Sequence, residues 1–528
     1  MVFKHTAVLI TQVFVCGTFK ILFHINTMIL QLAALVFGAI YVVVLTYRSW
    51  ARHWKVPGPF FASISNLPRL RWAWSGEAHH VHMQLHDRFG RLVRLGPNCI
   101  SIDDPEEVLK IYGTGVNLKK SDFYKVMQPM SCGRVIQGLF NTQDDDLHRA
   151  MKRPIANIYS MSSLVEFEPH VDTTICFFLT KLDEILAKDG QTVDLGTWLQ
   201  WFAFDVMGEI TFSKRLGFLD EAKDVDGIMG SIQKVFKYAS WVGQIPWLDN
   251  LLAKNPLARF LPEGSSPIVA FALARAHERS NISEVEKTTT YHNTKDFMSR
   301  FLEAKEKNPD ILDWFVTAWA TSNVLAGGDT TAIMMRAVIY FLIKHQDCLG
   351  KLMEELSQAN SEGRLSDNVT WKESQSLPYL DACVKEAGRL HPVIGLPLER
   401  VVGKGGVELC GVHFEGGTVV GMNPWVVHRS KEVFGEDADK FRPERWLCER
   451  ERRVKMERCL LTFGAGRRTC LGKNISYLEI YKLIPTLFWR YRMTLEGDWK
   501  VQNHWMVAQT GLNVRMTPRC GGKKEVSV

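Results

Sequence analysis

Ten residues near the C-terminal end constrain this chain more than any other stretch: Phe463-Gly464-Ala465-Gly466-Arg467-Arg468-Thr469-Cys470-Leu471-Gly472. One cysteine stands on a glycine-flanked turn, with two arginines just before it and an apolar helix-like run, 475–488, after it. A sulfur placed there gains backbone N–H donors and the positive end of a helix, both of which favour the thiolate. The glycines permit positive φ and let the backbone come close to a large flat body. A buried free cysteine beside a turn is the bland alternative, and it describes most intracellular thiols. For Cys470 the surrounding pattern reverses those odds.

A sulfur that is open and yet stabilised suits an axial ligand to haem iron, where thiolate donation favours O–O cleavage. Phe463, Gly466, Arg468, Cys470 and Gly472 fit Phe-x-x-Gly-x-Arg-x-Cys-x-Gly, five fixed identities where a lone GxGxxG has three. The segment resembles the haem-ligand signature of the cytochrome P450 superfamily. That resemblance implies a mainly α fold with a minor β region, haem b held through the Cys470 thiolate, and Phe463 and Arg468 beside the cofactor.

The rest of the chain is read against this loop. It has 528 residues, 46% of them hydrophobic and 11% aromatic. That is ample for a sizeable core, with disorder confined to the termini. No repeat or long Gly/Ser linker divides it. Residues 28–46 are an uncharged apolar run of 19, close to the roughly 20 a bilayer span needs. Arg48, Arg52 and Lys55 follow, which places the body on the cytosolic side. A buried core helix is the other reading of such a run. The expected organisation is an N-terminal extension 1–27, a transmembrane anchor 28–46, a basic Pro-rich hinge 47–60, a catalytic body 61–515 and a polar tail 516–528. Met28 is the expected natural start. The second apolar patch, 7–18, is too short to span. Val56-Pro57-Gly58-Pro59 breaks any helix and stiffens the exit from the membrane; it resembles the hinge of microsomal members of the family. Eleven scattered cysteines without CxxC pairs indicate a reducing compartment. The sequon at Asn474, beside Cys470, argues against a lumenal body; the others are Asn281 and Asn368. The expected location is the endoplasmic reticulum membrane, single-pass, facing the cytosol.

A net charge of +7 does not by itself point to nucleic acid. Between Glu449 and Lys473, however, eight basic residues face three acidic ones. Such a run is either a solvated face or a docking patch for an acidic partner, and a haem that needs electrons favours docking.

Residues 91–102 alternate around Gly96-Pro97 as a small hairpin. Over 144–160 the pattern is helical, with His148 and Lys152 on one face. By resemblance they sit where a Trp and an Arg donate to a haem propionate; the alternative is a solvated basic face. Residues 161–260 read as amphipathic helices with aromatics at Phe236, Tyr238, Trp241 and Trp247, mostly core, in the region that roofs the substrate in the family. A polar surface loop is expected over 284–295. The longest helical run is expected from Asn308-Pro309 to about His345. At its centre, Ala326-Gly327-Gly328-Asp329-Thr330-Thr331 carries two glycines that each cost about 1 kcal/mol in a helix. The reading is a groove where the helix opens over the cofactor. Thr330 and Asp329 are then the proton-delivery pair, and Ala326 leaves space above the iron. A kinked core helix is the alternative.

A helix over 376–391 holds Glu386 and Arg389 three apart on one face. In the family this pair is buried and locked by a later arginine, here Arg445 in Phe441-Arg442-Pro443-Glu444-Arg445-Trp446. Trp446 stands where the family has Phe. By resemblance Val393, Ile394 and Leu396 line the pocket and Arg400 binds a propionate, although plain sheet core explains each apolar residue alone. Strands are expected at 401–409 and 418–420, and a strand-to-strand turn at 509–512.

The implied activity is insertion of one oxygen atom from O₂ into a bulky apolar small molecule, with electrons from NADPH through a P450 reductase and possible help from cytochrome b5. Nucleic acid is not an expected partner. Residues 120–124 and 150–160 look most like fungal members of the pisatin demethylase-like group, which implies secondary metabolism. Two alternatives stay open: a haem-thiolate rearrangement or dehydration without external electrons, and a non-catalytic haem protein.

Overall fold

The computed structural model describes residues 51–519 except 117, 132, 189–191, 256–266 and 281–295, together with part of 28–50. The expected 1–27 extension, the 284–295 loop, Asn281 and the tail beyond 519 lie outside the described residues.

The fold is mainly helical with a small sheet region. Its axis is the helix Asp313–Lys344, 32 residues long and buried along most of its length. It starts later than expected: Leu312 is extended (φ −68°, ψ 143°), and 308–311 form a turn. Helix Leu195–Phe212 crosses it closely, capped by Asp194, whose carboxylate accepts from the Thr197 amide. A Cβ on Gly328 would lie 2.6 Å from the Phe204 ring, and one on Gly327 2.4 Å from the Met207 sulfur. The two glycines therefore let two helices touch. This corrects the expectation of an opened groove, since the helix runs unbroken through 326–331.

Five strands form the main sheet, in the order Leu92–Gly96, Cys99–Ile102, Val419–Gly421, Arg400–Val401, Lys119–Lys120. The hairpin expected over 91–102 supplies the first two. The single strand expected over 401–409 is split. Arg400–Val401 joins the main sheet, a turn with Gly406 at φ +71° intervenes, and Val407–Leu409 pairs instead with Val412–Phe414. Lys500–His504 and Met506–Thr510 form a hairpin, and Gly511, at φ +83°, turns into Asn513–Pro518. That last strand pairs with Tyr491–Leu495, so the body continues past the expected boundary at 515.

Among the described residues, Asp313–Lys344 is the one helix long and apolar enough to cross a membrane, and its burial makes it a core helix. The 28–46 run is partly described; Leu35–Val44 there is a shorter apolar helix. The Pro-rich hinge is seated on the body: Val56 is buried, and the Arg94 amide donates to the Pro57 carbonyl at 2.8 Å.

Candidate active site

The site is built where the Cys470 loop, its following helix Lys473–Arg490 and the long helix meet. Two side-chain contacts clamp the helices together. Thr331 and Ser476 hydroxyls lie 2.9 Å apart. Asn474 donates to the Tyr159 carbonyl at 2.9 Å, while the Tyr159 hydroxyl donates to Asn323 at 2.5 Å. Asn474 is thus committed inside the fold. Ala326 and Thr330, four apart, share one face of the long helix with Asn323. Ala326 is exposed between half-buried Leu325 and Gly327, in a helix buried along most of its length. The Thr330 hydroxyl donates to the Ala326 carbonyl at 2.6 Å, the usual resting bond of a mid-helix threonine.

The loop itself is tightly held. The Cys470 amide donates to the Phe463 carbonyl at 2.9 Å. Gly464 and Gly466 have φ of +68° and +63°, and a Cβ on Gly466 would fall 1.6 Å from the Tyr112 carbonyl oxygen. Only glycine fits at 466. Phe463 packs edge-on against Tyr477. Cys470 has an exposed side chain, yet protein surrounds it, and desolvation raises its thiol pKa. The amides of Gly472 and Lys473, then the charges of Lys473 and Lys152, pull the other way without prevailing. The expected thiolate-stabilising groups are present, but in the chain alone burial outweighs them. A coordinated metal would tip the balance to thiolate.

Five basic groups from four segments converge beside the loop: Lys120, His148, Lys152, Arg400 and Arg468. Lys120 is pushed far down by burial and by the charges of Arg400 and Arg468. His148 is lowered to about 3 by burial, then by Arg468, Lys152 and Lys120. Lys152 is lowered by burial and Arg468, and its ammonium donates to the Arg467 carbonyl at 3.0 Å. Arg400 donates to the Glu399 carbonyl at 2.8 Å and lies over the Tyr112 ring. Arg468 bonds Asp145 at 2.7 Å, while its Nη1 is buried without a hydrogen-bond partner. One bonded carboxylate among five basic groups, whose charges push Lys120, His148 and Lys152 toward their uncharged forms, makes a donor set suited to anions. A flat macrocycle bearing two carboxylates, held through the Cys470 sulfur, would fit it.

The structure brings Glu386, Arg389 and Arg445 together with no side-chain exposure. Glu386 accepts from Arg389 Nε and Nη2, from Arg445 Nε, from the Arg442 amide and from Trp446 Nε1, at 2.8–3.0 Å. Trp446, noted only as a departure, supplies a donor that phenylalanine lacks. Arg389 extends to the carbonyls of His428 and Ala438, and Arg445 to that of Asp437. The triad therefore ties helix Pro378–Leu390 to the segment leading to Cys470.

These observations agree with the comparisons. The Cytochrome P450 family pattern matches residues 55–516. The chain belongs to the cytochrome P450 family. A cytochrome P450 monooxygenase of Aspergillus terreus is 49% identical over 85% of this chain and 92% of its own length. The cytochrome P450 monooxygenase cicH of Emericella nidulans is 46% identical over 93% of this chain and 99% of its own. A third relative, mpaDE of Penicillium roqueforti, is 43% identical, but this chain spans only 55% of its length. Membership makes the chain a P450 monooxygenase and implies thiolate-ligated haem, for which Cys470 is the cysteine in the P450 ligand pattern.

Val393 and Leu396 are buried; Ile394 is half-buried and bridges to Met506, so this segment packs on the C-terminal hairpin. Asp329 does not share the Thr330 face. It is buried against helix Leu195–Phe212, accepts from the Gln200 amide, and lies near Arg336. Gln200 carries no motif, and Lys120 no periodicity. Arg336 did leave a signal: a lone charge inside the apolar run 332–343.

Proposed function

We propose that this P450 hydroxylates a bulky apolar natural-product scaffold in fungal secondary metabolism, as a member of the pisatin demethylase-like group. The observation that carries it is the open Cys470 sulfur beside a cluster of basic groups, where helix Lys473–Arg490 meets the long helix through the Thr331–Ser476 contact. When bound, haem supplies O₂ activation and oxygen transfer. Cys470 would hold its iron. Arg468, Arg400 and Lys152 would balance the charge of its carboxylates, and His148 and Lys120 would donate hydrogen bonds to them. Ala326 keeps the approach open and bare. Thr330 exchanges its resting bond to Ala326 for a proton-carrying one, and Asp329 resupplies it. Val393, Leu396 and the C-terminal hairpin exclude water from an apolar guest.

Electrons come from NADPH through a reductase docked on the basic face, where helix Arg450–Cys459 exposes Arg450, Arg452, Arg453, Lys455 and Arg458. The anchor at 28–46 holds the body on the cytosolic side of the endoplasmic reticulum. Two features support membrane seating. Leu35–Val44 is apolar, and Phe60, Phe61, Leu67, Trp74, Trp247 and Leu251 are all exposed. Trp74 reaches the aromatic roof through an edge contact with Trp241, centroids 5.0 Å apart. Membranes carrying the protein and a reductase, given labelled dioxygen, should convert an apolar substrate to a product with one labelled oxygen, only with NADPH. Unlabelled product formed without NADPH would instead establish a rearrangement or dehydration.

A further inference from the structure

Asp329 sits in a buried polar knot that the family pattern does not describe. Its carboxylate accepts from the Gln200 side-chain amide. The other end of that amide, Gln200 Oε1, accepts from Arg336 Nη2 at 2.7 Å. Arg336 is itself fixed at both ends. Its Nε and Nη2 donate to the Gly196 carbonyl at 2.8 and 2.6 Å, and its Nη1 to the Gln509 carbonyl at 3.2 Å. Gln509 in turn donates to the Ile333 carbonyl of the long helix at 3.0 Å. The knot therefore joins the long helix, helix Leu195–Phe212 and the C-terminal hairpin, with all three side chains buried.

A structural ion pair would put the carboxylate directly on the guanidinium. Here a neutral amide stands between them, so Asp329 has one hydrogen bond and a nearby positive charge. The charged groups around the knot are few. Arg336 favours the ionised form of Asp329, Asp224 opposes it, and Asp194 acts on Arg336. Burial, the largest influence, raises the Asp329 pKa to about 6, close to the pH at which a proton-transfer group works best.

We propose that Gln200 and Arg336 are positioning residues for Asp329, fixing its carboxyl and tuning its hold on the proton passed toward Thr330; this rests on the relay reading above. Removing either the amide donor or the guanidinium withdraws something that favours the carboxylate, so the carboxyl then holds its proton to higher pH.

The test uses the full-length haem-loaded protein in membranes, with NADPH and a reductase, following oxygen consumption without added organic substrate. Infrared difference titration reads the Asp329 carboxyl directly, assigned by its loss in Asp329→Asn. In Gln200→Leu, both that titration and the alkaline limb of oxygen consumption should move up by roughly one pH unit, a tenfold change in proton affinity. Arg336→Gln should shift both the same way, and Arg336→Lys should restore them toward wild type. If Arg336→Gln fails to fold, Gln200→Leu decides. A folded Gln200→Leu protein with both readouts unmoved overturns the proposal while Asp329→Asn still slows turnover. If Asp329→Asn leaves oxygen consumption and its pH profile as in wild type, the relay reading falls and this proposal with it.

Discussion

The two sides of the site are built on opposite principles. Behind Cys470, the Glu386–Arg389–Arg445 assembly is saturated: a fully buried carboxylate takes five hydrogen bonds and each arginine also grips main-chain carbonyls. Buried charge is tolerated there because every lone pair is satisfied, and such a unit is rigid. On the opposite side, Thr330 is bonded only within its own helix, Ala326 is bare, and Asp329 is held by a single amide. That face keeps groups free to change partner. The difference teaches that burial alone does not tell a locked scaffold from groups left free to change partner.

The comparison breaks most visibly at the triad. Glu386→Ala leaves two buried guanidiniums without their carboxylate, at about 3–5 kcal/mol. Thermal unfolding should show little or no folded, haem-binding protein. If Glu386→Ala instead unfolds with a wild-type midpoint, the saturated side is not the scaffold. Gly328→Val tests the helix crossing against the groove. Overpacking Phe204 should cost about 1–3 kcal/mol of stability, whereas a groove open to the cofactor would accommodate the side chain.

Trp446→Phe removes one of Glu386's five donors, and the loss of a hydrogen bond to a charged group costs about 1.5–3 kcal/mol at most. A midpoint lowered by a few degrees with unchanged turnover is the expected result. The smallest stability change belongs to Thr330→Val. It should unfold like wild type yet release peroxide in place of product, measured as product per NADPH consumed.

A pH series sharpens the contrast further. Asp329 has a folded pKa raised to about 6, so its neutral form is the one the fold favours. Its contribution is present below the unfolded value near 4 and is lost as pH rises through about 6. Relative to wild type, Asp329→Asn should therefore gain stability between pH 4 and 7 in denaturant titrations.

The sequence disclosed those parts of the site that depend on fixed spacing. The Cys470 loop needs Gly466 because the Tyr112 carbonyl leaves no room for a Cβ, and Glu386 reaches Arg389 because residues three apart share one face of an α-helix. The groups that fold long-range contacts into place stayed hidden. Gln200 is 129 residues from Asp329, and nothing local to either position announces the other. The Gly327-Gly328 pair was misread for the same reason: its partner is a helix more than a hundred residues earlier. The split of 401–409 was legible in Gly405-Gly406 and was missed because its apolar flanks read as one strand. Trp446 was visible as a departure, but its meaning lies in the indole N–H, which no apolar pattern distinguishes.

The most direct measurement is the carbon monoxide difference spectrum of dithionite-reduced membranes carrying wild type and Cys470→Ala. A red-shifted Soret band in wild type, absent from the variant while haem and fold are retained, is the predicted result. A band of the same position in both proteins, or none in folded, haem-loaded wild type, would contradict ligation by Cys470 and the account built on it.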